Sequence, residues 1–151
     1  MHDEIKNEIP NCLKDRISFK SVTLHSLNTI IEHCNENGND FQILLLTPYG
    51  FIKGDISDFG NKENFVSKTN VENKFDIDFS YIINSRDDYM SELEKDNPNI
   101  KPIDNGAVLN LKNVTIYKND LANPVLTINQ YMVFVDQIIG FYPIYRNLQP
   151  N

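Results

Sequence analysis

The sequence predicts a mainly β fold with a helix towards its N-terminus. The expected architecture is a small, strongly bent antiparallel barrel with an acidic insertion between its second and third strands. Three observations predict it. The stretch from Val125 to Ile144 is dense in β-branched and aromatic residues and is broken only by short polar steps. An earlier segment, Ile43 to Gly54, reads as a hairpin around Pro48-Tyr49-Gly50. Ahead of it, Leu24, Leu27, Ile30, Ile31 and Cys34 recur at three- and four-residue spacing, which is one face of a helix.

In chain order, residues 1–20 form a mixed extension in which Pro10 interrupts any early helix. The helix is expected over 22–36, with Ser21 as N-cap and Asn37-Gly38 as the stop. Phe41 to Leu46 is too short for a helix and long enough for a strand. Pro48 sets φ for a turn, Gly50 is assigned the left-handed position, and Phe51 to Ile56 returns antiparallel. Gly54 inside the return strand marks a bulge or a bend.

Residues 57–104 form the insertion. Asp58 to Asn64 reads as loop. Phe75, Ile77 and Phe79 alternate with polar residues, so a strand is expected over 74–83. Ser85 to Lys95 reads as a short helix with Met90 and Leu93 inward, ended by Asp96-Asn97-Pro98-Asn99. Strands resume over 105–145. Leu109 and Leu111 share one face, and Val114 and Ile116 continue at the opposite parity, which implies a bulge near Lys112-Asn113. Asn119 to Pro124 is a turn, Val125–Ile128 is a strand or a short extension, and Tyr131–Val135 alternates as a strand. Asp136-Gln137 is a tight corner, and Ile138–Ile144 is a last strand whose Pro143 suits a sheet edge.

The 151 residues read as a single domain, 1–151, with a core of ordinary size. The net charge of −7 is unevenly placed: −2 over residues 1–54, −6 over 55–104 and +1 over 105–151. No cluster of Lys and Arg is visible, which disfavours binding to a phosphate backbone through counterion release. No apolar run is long enough for a transmembrane helix, and the polar Met1-His2-Asp3-Glu4 start has no secretory h-region. The two cysteines, Cys12 and Cys34, form no disulfide framework and no zinc pattern. The expectation is a cytoplasmic protein with reduced thiols and no membrane contact.

The residue patterns that carry chemistry are weak. His25 and His33 sit eight apart on the expected helix, about 80° apart around its axis, with no acidic partner to complete a metal site. His33 and Cys34 are adjacent, so they point about 100° apart and do not form a catalytic pair; Cys34 reads as core. Asp55, Asp58, Asp76, Asp78, Asp87 and Asp88 offer acids for a carboxylate pair or a calcium site, but the calcium-loop pattern is absent, and Asp76 and Asp78, at strand parity beside Phe75, Ile77 and Phe79, read as a solvated sheet face. Six glycines and no glycine-rich loop argue against a phosphate cradle. The sequence therefore points to a non-enzymatic protein, with no catalytic residue, no cofactor and no metal assigned.

The order of elements resembles the Sm-like small barrel: a helix, a hairpin bearing Gly50 and Gly54, a strand Leu109-x-Leu111-x-Asn113-Val114-x-Ile116, then Val133-Phe134-Val135-Asp136-Gln137-Ile138-Ile139 with almost no turn. The resemblance covers about 22–56 and 106–145. It implies five bent strands, edge strands that pair between subunits into rings, and RNA binding by the ring. The two glycines stand one residue closer than in that family, and Asp136-Gln137 occupies the corner where the family carries a cation. No RNA-binding residue is therefore carried over. An SH3-like barrel explains the same pattern. Three roles follow as expectations: a binding or scaffold protein that self-associates through its edges, an RNA-binding ring, or an adaptor whose acidic insertion meets a basic protein. The candidate interface residues are Tyr131, Phe134, Phe141, Tyr142 and Tyr145.

Overall fold

The computed structural model describes residues 10–14, 17–57, 66–68, 75–77, 79–104 and 106–147. The chain divides into two compact units. One comprises Ile17–Asp58 and Gly106–Asn151, the other Met1–Arg16 and Phe59–Asn105.

The first unit begins with helix α1, Phe19–Glu36. It starts three residues earlier than expected, because Ser18, with extended backbone, is the N-cap; its hydroxyl accepts from the Ser21 N–H at 3.3 Å. Ser21 itself is already helical. The early turns escape a periodicity reading because Phe19 and Val22 are exposed. The buried stripe is Leu24, Asn28 and Ile31, the i, i+4, i+7 pattern of one face. Ile30, expected inside, is exposed, since it lies about 100° round the axis from Ile31. Asn28, in line with Leu24 and Ile31, is buried and donates to Glu32 Oε1 at 2.9 Å. Gly38 adopts φ +90° beyond the helix end. Asn35 then clamps the next strand, its Oδ1 accepting from Phe41 N at 2.7 Å and its Nδ2 donating to Phe41 O at 3.0 Å.

Five strands form one antiparallel sheet: β1 Phe41–Thr47, β2 Gly50–Ile56, β5 Val108–Tyr117, β6 Pro124–Phe134 and β7 Gly140–Tyr145. Their order is β6-β5-β2-β1-β7, so the pairing leaves the sheet open with β6 and β7 at its two edges. The β1–β2 turn is two residues long, Thr47 pairing with Gly50. Gly50 has φ +140° rather than the left-handed helical value, and a Cβ there would collide with the carbonyl oxygens of Tyr117 and Lys118. A glycine is required by the close pass of β5 as well as by the turn.

The expected bend is present. The β2–β5 register shifts between Lys53 and Asp55, opposite Asn113, the one non-glycine residue with positive φ among those described. That single distortion lets Leu111 and Val114, of opposite parity, both reach full burial. Tracts 125–128 and 131–135 are not separate strands. They run together as one strand, β6, which ends at Phe134, because Gln130 keeps its place opposite Lys112 and the ladder continues through the polar step.

Val135–Gln137 form a 3-10 turn that carries the chain from β6 to β7. Pro143 lies in β7 at the edge, paired with Ile43. The core lies between α1 and one face of the sheet: Leu24 and Ile31 meet Ile43, Leu45, Ile52, Leu111, Val114, Val133, Val135 and Ile138.

The second unit contains a short 3-10 turn Asn11–Leu13, the strand pair β3 Val66–Lys68 and β4 Phe75–Ile77, and helix α2 Ser80–Asp96. In chain order β3, β4 and α2 lie between β2 and β5, which are neighbours in the sheet. The strand expected over 74–83 stops at Ile77, and the helix expected from Ser85 begins at Ser80. Tyr81, Ile82 and Ile83 are good β formers, but their paired strand β3 is only three residues long, and a strand without a neighbour has no ladder to extend. Glu94 on α2 caps the N-terminal 3-10 turn, accepting from Asn11 N at 2.8 Å and Cys12 N at 2.6 Å. The expected loop 58–64 lies outside the described residues.

Candidate interaction surface

The five aromatic candidates do not converge. Tyr131 and Phe134 lie on β6, and Phe141, Tyr142 and Tyr145 on β7, at opposite edges of the sheet. Phe134, Phe141, Tyr142 and Tyr145 are exposed, whereas Tyr131 packs against the core. Tyr145 is also occupied in part: its ring stacks on Phe41 with centroids 4.2 Å apart.

The edge of β7 has a definite hydrogen-bonding character. Arg146 N donates to Asp40 O at 2.8 Å, which sets the alternation of the β1–β7 ladder. Tyr142 and Ile144 thus bond towards β1, while Phe141, Pro143 and Tyr145 turn their backbone groups outward. Two N–H donors and three carbonyl acceptors face away from the sheet, with a missing donor at Pro143.

Beside this edge lies an apolar groove of about 240 Å³ between the start of α1 and the entry to β7. Phe19, Leu24, Val135, Ile138, Ile139 and Phe141 supply most of its wall. Lys20 reaches across it, its Nζ donating to Ile138 O at 3.3 Å. Phe19 and Ile139, both well exposed, were not among the sequence candidates. Their only signal is an apolar residue on the polar side of a helix and another just after a corner, and neither breaks a pattern.

A second pocket of about 210 Å³ joins elements that are not neighbours in the sheet order. Thr47, Tyr49, Gly50 and Ile52 of the β1–β2 hairpin face Tyr131, Met132, Val133 and Phe134 of β6, with Gln137 from the 3-10 turn.

The charged groups of this unit form a clasp at another part of the sheet. Arg146 bonds Asp55 with two nitrogens and Asp40 with Nε at 2.8 Å. Asn113 Nδ2 donates to Asp55 Oδ2 at 2.8 Å, and Lys53 Nζ to Arg146 O at 3.3 Å. Burial pushes the Asp55 carboxyl up, but the Arg146 guanidinium and the amides of Asn113 and Gln42 outweigh it and hold it below the ordinary carboxylate value. Arg146, bonded by both acids, holds its proton more tightly than usual. These groups satisfy one another, and the clasp holds the residue after β7 to β2 and to the start of β1.

His25 and His33 are exposed on α1, and Cys34 is half-buried at its last turn rather than inside the core cluster. Asp87 pairs with Arg86 at 3.0 Å, Asp88 is exposed, and Asp58 and Asp78 lie outside the described residues. Among the described residues no group of three or more His, Cys, Asp or Glu is placed to hold a metal ion. No helix among them is long and apolar enough to cross a membrane. Comparison with protein-family models, curated proteins and solved structures finds no match.

Proposed function

We propose that this chain is a non-enzymatic binding or scaffold module that self-associates through its sheet edges. The observation that carries the reading is the position of β6 and β7. They are consecutive in the chain, separated by a 3-10 turn and two residues, yet form the two opposite open edges. Exposed apolar side chains line both edges, Phe141, Tyr142 and Tyr145 on β7 and Val125, Leu126 and Phe134 on β6, and an edge strand with no neighbour among the described residues is a hazard unless another strand covers it. Residues 105–151 carry +1 of a chain that is −7 overall, so two such segments meet with little repulsion. Pairing β7 of one copy with β6 of the next is a head-to-tail contact, which closes into a ring if the rotation permits.

The same reading takes the sheet as a bent, barrel-like body of the Sm-like or SH3-like kind. Support comes from the pocket shared by the β1–β2 hairpin and β6, because strands three places apart in the order meet there only if the sheet curls. The bulge at Asn113 and the short β6–β7 link support it too. Residues 57–104 then constitute an acidic insertion between the second and third barrel strands.

Light scattering on a size-exclusion column, with absorbance at 260 and 280 nm, tests the proposal. A discrete oligomer without nucleic acid is the expected result. A discrete oligomer carrying nucleic acid would favour an RNA-binding ring instead. A strict monomer at micromolar concentration would overturn self-association.

A further inference from the structure

We propose that the Asn37–Gly38 pair is a site of spontaneous deamidation, converting the amide-bearing end of α1 into a carboxylate-bearing one. Asparagine is among the chemically labile residues, and this one is exposed, immediately beyond the last helical residue, Glu36. The reaction needs only the chain and water. The backbone nitrogen of Gly38, losing its proton, attacks Cγ of Asn37; a carbon–nitrogen bond forms and ammonia leaves. The resulting five-membered succinimide takes up water at either carbonyl, giving aspartate or its β-linked isomer. A side chain on the following residue hinders that attack. Gly38 has none, and nothing lies within 4 Å of the place a Cβ would take.

The structure also sets what controls the rate. Asn37 Nδ2 donates to His33 O at 2.7 Å, and Gly38 N donates to Asn35 O at 3.1 Å. Both the leaving amide and the attacking nitrogen are thus held by the last turn of α1. Reaction requires that turn to open, and helix ends are where local opening costs least. The site therefore reports fraying of the α1 terminus.

Conversion has a definite structural cost. A carboxylate cannot donate to His33 O, and it places negative charge at the end of the helix where the dipole is already negative, beside Glu36. The β-linked product also lengthens the backbone between α1 and β1, next to the Asn35 clamp on Phe41. The joint between helix and sheet is what loosens.

The test is incubation of the full chain at mildly alkaline pH, followed by peptide mapping for amide-to-acid conversion and for the two isomers. A synthetic peptide of residues 30–45 serves as the unfolded reference, and Asn105-Gly106 as an internal comparison. The expected result is conversion at position 37 to both isomers, several-fold slower than in the peptide, with amide exchange at Phe41 faster in the converted fraction. Asn37→Gln and Gly38→Ala should each suppress it strongly; if one variant folds poorly, the other still decides. An unconverted Asn37 beside a converted Asn105 would overturn the proposal. So would a rate equal to that of the peptide, because the last turn would then exert no control.

Discussion

Arg146 closes on Asp55 with two nitrogens, Nη2 to Oδ1 at 2.9 Å and Nη1 to Oδ2 at 3.2 Å, across 91 residues of sequence. This fork ties the residue after the last strand to the β2 residue that lies beside the β5 bulge at Asn113. It also turns a bend in one strand into an anchor for another.

Arg146→Ala should lower unfolding free energy at neutral pH by about 1–3 kcal/mol, towards the lower end because both side chains are partly exposed. Urea denaturation measures it. An unchanged midpoint would mean that the fork contributes nothing.

The same pair fixes a pH dependence. The Asp55 carboxyl is depressed in the folded state. Its contribution is therefore full above the unfolded carboxylate value, about 3.9. It is lost as pH falls below that value through the folded one. Stability of the native chain should drop over that acid range more steeply than that of Asp55→Asn. Parallel acid limbs in the two proteins would refute the assignment.

Gly50→Ala should cost about 2 kcal/mol or more, since strain at positive φ adds to a collision with two carbonyl oxygens of β5. Gly38→Ala meets open space and should cost about 1 kcal/mol, the backbone part alone. Thermal melts of the two variants, compared directly, check the difference. Equal losses would deny the close pass of β5.

Leu45 is fully buried and Leu46, its neighbour, is exposed. Leu45→Ala should cost about 2–5 kcal/mol and Leu46→Ala well under half of that. Chemical denaturation of each variant would show a reversed order if the face of β1 were misassigned.

Tyr142 is exposed on the β7 edge. Tyr142→Lys should change stability by no more than about 0.5 kcal/mol while reducing the mass seen by light scattering. A charge placed on an edge opposes strand addition. An unaltered oligomer would move the contact away from β7.

Several elements were legible because their cause is local. The short apolar run Phe41 to Leu46 with the turn at Pro48-Tyr49-Gly50 predicts the hairpin, and the parity switch between Leu111 and Val114 predicts the bulge found at Asn113. Pro143 predicts an edge by its missing N–H. Elsewhere the local signal was outweighed. Asn28, a polar residue outside the expected apolar face, is buried, and its amide finds Glu32 one turn on. The β-forming Tyr81-Ile82-Ile83 is helical. The Arg146 fork left no sequence signature, since its members are 91 residues apart and a lone Arg near a chain end has many uses.

By itself, the sequence determined which segments alternate, where the chain turns and where the strand parity breaks, because these depend on neighbouring residues and on backbone sterics. Tertiary structure alone decided that β6 and β7, adjacent in sequence, stand at opposite edges of the sheet. It also decided that the five aromatic candidates divide between those edges. The physical reason is that strand order is fixed by long-range pairing. Each ladder gains its hydrogen bonds and buried side chains only after the intervening chain has closed, and no local pattern records which edge is left unpaired.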